Sequence, residues 1–194
     1  DTSEGIAYIE NAESEDIAAI EEKISRLEEQ DGTSGQDRSL KERFSQAVVL
    51  GDSVASGFSE YNILNASSVV ADTGAGLDRY DGLVERTKEL HPRIVFLALG
   101  TNDIAAADGD IDQFIEKYGG FLETLQNEIP NAHIFVNSVF PAQEKVYEEE
   151  PAFEQVPEYN AALEQLCDSR RVGFIDNTAI VEDQYYEDDG IHFK

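Results

Sequence analysis

Ser53 follows the run Ala47-Val48-Val49-Leu50-Gly51-Asp52. Four consecutive apolar residues, Ala47 to Leu50, read as a strand buried on both faces, the pattern of a parallel sheet covered by helices. A ligand site in an open α/β sheet lies at the carboxyl ends of its strands, which is where Ser53 falls. At a glycine-marked turn into a helix, a serine can present its hydroxyl as a nucleophile and aim its own N–H at a substrate oxygen. The plain alternative is a phosphate-type turn or a helix N-cap.

Nucleophilic attack on an ester carbonyl requires a base for the hydroxyl proton and donors for the developing oxyanion. His192 is the best-placed base, and Asp189 precedes it by three residues. That spacing lets a carboxylate reach the imidazole Nδ1 across one turn, where it sets the tautomer and stabilises the imidazolium. Taken alone, Asp-x-x-His reads rather as an acidic turn with a solvated histidine. His91 and His133 fall at element boundaries, where structural roles suit them better. Asn102 supplies a neutral N–H₂, and Gly74, with Gly76 as its alternative, a backbone N–H unobstructed by a side chain. With the Ser53 amide these make three oxyanion donors, although Asn after a Gly-Thr turn is also an ordinary turn residue. Asp52, Phe58 and Phe140 are the candidate substrate contacts; the two aromatics either close a small pocket near Ser53 or belong to the core.

These residues need a frame that brings them together. From Gln46 onward strands and helices alternate, the signature of a parallel α/β sheet. Strands are expected at 47–51, 67–71, 93–99, 132–138 and 171–175, and helices at 54–61, 78–90, 111–128 and 153–168. Ile94 to Leu99 is apolar throughout and is expected at the centre of the sheet. Right-handed crossovers then place the loops carrying Ser53, Gly74, Asn102 and His192 along one edge. Residues 1–45 form a separate acidic helical extension: Ile17, Ile20, Ile24 and Leu27 make an amphipathic stripe. A short helical piece, Arg38 to Ser45, leads into the first strand. The extension offers self-association or cell-surface attachment, or simply packs on residues 46–194.

Composition narrows the classes. A net charge of −27 over 194 residues opposes binding to nucleic acid or to an anionic membrane surface. No apolar run approaches the roughly 20 residues that span a bilayer, so membrane insertion is not expected. The single cysteine, Cys167, excludes an intrachain disulfide and reads as a small buried residue. The sequence contains no methionine, which makes a removed export signal one explanation and points to a secreted or cell-surface protein, with the cytoplasm as the alternative. Asp108-x-Asp110-x-Asp112 lacks the glycine and glutamate of a calcium loop and is read as helix capping. No metal or cofactor is expected. Asn65-Ala66-Ser67 is a glycosylation sequon by pattern alone.

Gly51-Asp52-Ser53, the Gly74/Gly76 loop, Gly100-x-Asn102-Asp103 and Asp189-x-x-His192 together resemble the SGNH, or GDSL-type, hydrolase family over residues 46–194. The resemblance implies a flavodoxin-like three-layer α/β/α sandwich with a mostly parallel five-stranded sheet. It makes Ser53 the nucleophile, His192 the base, Asp189 its orienter, and Ser53, Gly74 and Asn102 the oxyanion hole. The expected activity is a serine esterase, cofactor-independent, removing acetyl or another short acyl group from a carbohydrate. An acyltransferase using the same residues, and a non-catalytic glycan- or partner-binding module on this fold, are the alternatives. Relatives commonly continue into a last helix beyond the histidine, so a weaker hold on His192 is expected here.

Overall fold

The computed structural model describes residues 39–80 and 82–194. The stripe Ile17 to Leu27, and with it the expected N-terminal extension, lies outside the described residues. The first described helix, α1 (Leu40–Arg43), begins in a capping box: the Ser39 side chain accepts from the Glu42 N–H while the Glu42 carboxylate accepts from the Ser39 N–H.

Five strands follow: β1 (Ala47–Gly51), β2 (Val69–Ala71), β3 (Ile94–Ala98), β4 (His133–Asn137) and β5 (Gly173–Ile175). Their order is β2-β1-β3-β4-β5, and every neighbouring pair is parallel. This is the flavodoxin-like order, with the all-apolar β3 at its centre as its sequence requires. Between the strands run α2 (Ser53–Glu60), α3 (Leu83–Glu89), α4 (Thr101–Ala107), α5 (Ile111–Glu128) and α6 (Val156–Arg170).

Side chains alternate across a strand, and here the two faces feed different cores. Val48, Leu50, Val95, Leu97, Ile134 and Val136 join Phe114, Tyr118, Leu122 and Leu163 in a thick core beneath α3, α5 and α6. Val49, with Phe96 and Ala98, packs beneath Ala55 and Leu64 on the α2 side. The result is three layers, strongly unequal in thickness. Cys167 is fully buried in α6, and burial pushes its thiol up to about 12, which leaves it inert as a nucleophile.

Three local expectations are revised. The helix expected over 78–90 begins only at Leu83, because Gly76 and Arg79 pair in a short antiparallel bridge that turns the chain first. The Gly100–Asp103 segment, expected as a loop, opens the seven-residue α4. Thr, Asn and Asp favour turns in a peptide, but Ile104 and Ala107 bury against the core and hold this turn helical. The last helix starts at Val156 after a 3₁₀ turn at Pro151–Gln155, with Pro157 tolerated in its first turn. Asp110 caps α5 by accepting from the Gln113 N–H.

The chain crosses from β2 back over β1 to β3, so the switch point of this sheet lies between β1 and β3. The crevice at that point is bordered by the two segments that carry Ser53 and Asn102.

Candidate active site

Ser53 is the first residue of α2, directly after β1, so its N–H is one of the unpaired donors of a helix N-terminus. Asp52 caps that helix, its Oδ1 accepting from the Val54 N–H at 3.0 Å. From the far end of the chain, His192 arrives with its Nε2 3.0 Å from Ser53 Oγ. Its Nδ1 lies 2.7 Å from Asp189 Oδ2. The other carboxylate oxygen of Asp189 accepts two backbone N–H groups, those of Ile191 and His192, each at 2.9 Å.

One arrangement of protons satisfies all of these contacts. Desolvation acts on Asp189 against ionisation, but the Ile191 N–H, the His192 ring and the His192 N–H outweigh it and hold the carboxyl at about 2. An ionised carboxylate only accepts, so His192 Nδ1 carries the proton and Nε2 accepts from the serine hydroxyl. The arrangement can therefore withdraw a proton from Ser53 Oγ and stabilise the resulting imidazolium.

The second and third strand ends carry the candidate oxyanion donors. Asn102 lies in the first turn of α4, and its Nδ2 donates to the Ala75 carbonyl at 2.8 Å. One amide N–H thus ties the glycine loop to α4, and the other remains for a ligand. Of the two glycines, Gly76 is occupied: its N–H faces the Arg79 carbonyl at 3.4 Å, and a Cβ there would stand 2.9 Å from Asp103 Oδ1. Gly74 has the left-handed φ of +73°, only the Arg79 guanidinium at 4.0 Å on its Cβ side, and an N–H with no acceptor among the described residues. The geometry favours Gly74 as a donor and makes Gly76 a packing glycine.

The remaining candidates divide. Phe140 packs edge-on against Phe193 with centroids 5.0 Å apart, which brings it beside His192. Phe58 stands 39 % exposed on α2 and takes part in no ring contact among the described residues. Asp52 is 2 % exposed and engaged as a cap, a placement that does not suit a substrate contact. His91 precedes β3 and His133 opens β4, at the opposite edge of the sheet from Ser53. His91 adopts a left-handed φ of 49° with its Nδ1 2.7 Å from the Lys88 carbonyl.

The chain matches the family described as GDSL-like Lipase/Acylhydrolase over residues 30–194. It belongs to that family. Solved structures carry the same fold at low identity. A GDSL-like lipase from Bacteroides thetaiotaomicron superposes with a TM-score of 0.58 at 18 % identity, covering 87 % of this chain and 88 % of that one. A carbohydrate esterase family 3 protein from Talaromyces cellulolyticus gives 0.54 at 17 % identity, covering 76 % and 87 %. An acetyl xylan esterase gives 0.56 at 15 % identity, covering 76 % and 91 %. No curated protein matches the chain.

Sequence reasoning left Asp103 without a role in this GDSL-type hydrolase. It is buried, its Oδ1 accepts from the Leu77 N–H at 2.8 Å, and its Oδ2 has no partner. Burial raises its carboxyl above the usual range, against the Leu77 hydrogen bond. Asp103 therefore clamps the far end of the glycine loop whose near end Asn102 holds. Its position beside Asn102 was the only signal, and that does not distinguish a clamp from a turn residue.

Burial also pushes Asp52 up to about 6; the Val54 N–H opposes this, and the negative charge of Asp103 adds to it. A carboxyl whose folded value exceeds its unfolded value of about 3.9 destabilises the fold as pH rises through that interval. Asp52→Asn keeps a capping oxygen and removes the charge. Its melting temperature should exceed that of the parent at pH 8, by on the order of 2 kcal/mol in stability, with the gap closing below about pH 4. Thermal unfolding at the two pH values checks this, and a gap independent of pH would refute the buried-charge account.

Proposed function

We propose that this GDSL-type hydrolase is a serine esterase that removes short acyl groups, acetyl above all, from a carbohydrate. The observation that carries the reading is the continuous chain Ser53 Oγ–His192 Nε2 at 3.0 Å and His192 Nδ1–Asp189 Oδ2 at 2.7 Å. The acetyl and carbohydrate part takes its support from the esterases of the same fold and from the absence of a long apolar loop in the sequence.

Ser53 Oγ attacks the ester carbonyl while His192 Nε2 takes its proton. Charge that develops on the carbonyl oxygen is met by the N–H groups of Ser53 and Gly74 and by the free amide N–H of Asn102. His192 then returns the proton to the departing sugar oxygen, which leaves an acyl-serine. A water molecule, deprotonated by the same Nε2, attacks that ester and releases the carboxylic acid and the free serine. Throughout, Asp189 balances the imidazolium charge, and its two backbone hydrogen bonds keep it from turning away.

Incubation with 4-nitrophenyl acetate and with acetylated glycans, following acetate release, tests the proposal. Turnover of the small ester without any glycan would retain the esterase and remove the carbohydrate. Asn102→Ala should lower kcat by about a hundredfold or more, the usual cost of one preorganised oxyanion donor, with a far smaller change in KM. A change confined to KM would assign Asn102 to substrate binding.

A further inference from the structure

The loop that carries Asp189 and His192 has little structure of its own. Glu187, Asp188, Asp189 and His192 are exposed, and the only strand-like pairing is the isolated bridge between Tyr186 and Phe193. A loop of exposed hydrogen bonds opens at small cost, whereas catalysis needs its side chains held to within about 0.5 Å. The hold comes from the segment after β4. The Gln143 N–H donates to the Gly190 carbonyl at 2.9 Å, and the Tyr186 hydroxyl donates to the Pro141 carbonyl. Phe140 meets Phe193 edge-on. Lys145 reaches furthest: its Nζ donates to the Asp188 carbonyl at 2.7 Å, one residue before Asp189.

The fit on this side is close. Gly190 has a φ of +77°, and a Cβ there would stand 2.6 Å from Lys145 Cε, 3.0 Å from Val146 Cγ2 and 3.2 Å from Gln143 Cβ. The stem of Lys145 therefore lies against the turn while its ammonium grips the carbonyl. The grip falls within Glu187-Asp188-Asp189, a run of three carboxylates that repel one another and favour spreading of the turn. An ammonium delivered into that run counters the repulsion and fixes the peptide plane leading into Asp189.

We propose that Lys145 is a positioning residue, whose hydrogen bond to the Asp188 carbonyl sets the alignment of Asp189 and His192 on Ser53. This rests on the esterase reading. It makes the segment after β4, remote in sequence from all three residues, a determinant of the rate of the chemical step and not of substrate affinity.

Lys145→Met keeps the apolar stem and removes the donor and the charge. Its kcat on 4-nitrophenyl acetate should fall about tenfold to a hundredfold, the scale of a misplacement near 1 Å, with KM within about twofold. The far-downfield proton resonance of the His192 Nδ1–H···Asp189 bond should broaden or vanish in the same variant, and Lys145→Arg should restore both readouts. Parental kcat in Lys145→Met would overturn the proposal, as would a loss of kcat with the downfield proton intact. Turnover near the parental rate in Ser53→Ala would instead remove the serine-nucleophile reading on which this proposal rests. The downfield proton reports the loop whether or not any ester is cleaved.

Discussion

Ser53→Ala should abolish labelling by a serine-directed phosphonate and lower kcat/KM on 4-nitrophenyl acetate by on the order of 10⁴ to 10⁶. The size of the effect follows from the covalent route: without Oγ there is no acyl-serine, and His192 can only act on water held in an oxyanion site built for a different attack. The fold should be unaffected, since the Ser53 side chain forms no hydrogen bond other than the 3.0 Å contact to His192 among the described residues, and α2 is capped by Asp52. Mass spectrometry of the labelled protein checks the site as well as the rate. A label on any other serine would reassign the nucleophile, and turnover near the parental rate in the alanine variant would end the acyl-enzyme mechanism.

Asp189→Asn should cost about 10⁴ in kcat, nearly as much as losing the nucleophile, although it alters a single atom. Asp189 uses both oxygens: Oδ2 faces the imidazole, and Oδ1 receives the N–H groups of Ile191 and His192. An amide has one oxygen. Turned toward the backbone it presents N–H₂ to Nδ1–H, donor against donor, and forces the wrong tautomer. Turned toward the ring it leaves two backbone donors facing an N–H₂ group, and it still carries no charge to balance the imidazolium. The carboxyl at about 2 also fixes the sense of the pH dependence. A depressed carboxyl supports the fold above its unfolded value of about 3.9, and this support is lost only as pH falls through about 2. At nearly half exposure that support is small. Acidification from pH 8 to about pH 4 should therefore leave Asp189 charged and the protein folded. Circular-dichroism profiles from pH 8 to pH 4 check this; unfolding within that interval would contradict it.

Much of this molecule was legible without coordinates because its signals are local. Ala47 to Leu50 is apolar on both faces, and a strand of that kind has no place except inside a parallel sheet. Once β1 is such a strand, the residue after Gly51 must emerge at its carboxyl end, and the same holds for Asn102 after β3. The three-residue spacing of Asp189 and His192 likewise lets carboxylate and ring meet within one turn, although spacing alone does not separate that contact from an acidic turn with a solvated histidine.

The tertiary structure decided what spacing does not encode. Choosing Gly74 over Gly76 depended on which N–H is free and which Cα presses on Asp103, a residue from a different strand end. Asp52 reads as a polar neighbour of the nucleophile, yet it is buried and turned to its own helix, where its carboxylate accepts from the Val54 N–H. Thr101 to Ala107 carries turn-forming residues and is nonetheless helical, since burial of Ile104 and Ala107 outweighs weak local preference. The hold on the Asp189–His192 loop comes from Gln143 and Lys145, more than forty residues upstream of the carbonyls they grip. No pattern in a sequence announces a hydrogen bond between two irregular segments: it exists only because β4 and β5 are neighbours and their following loops meet.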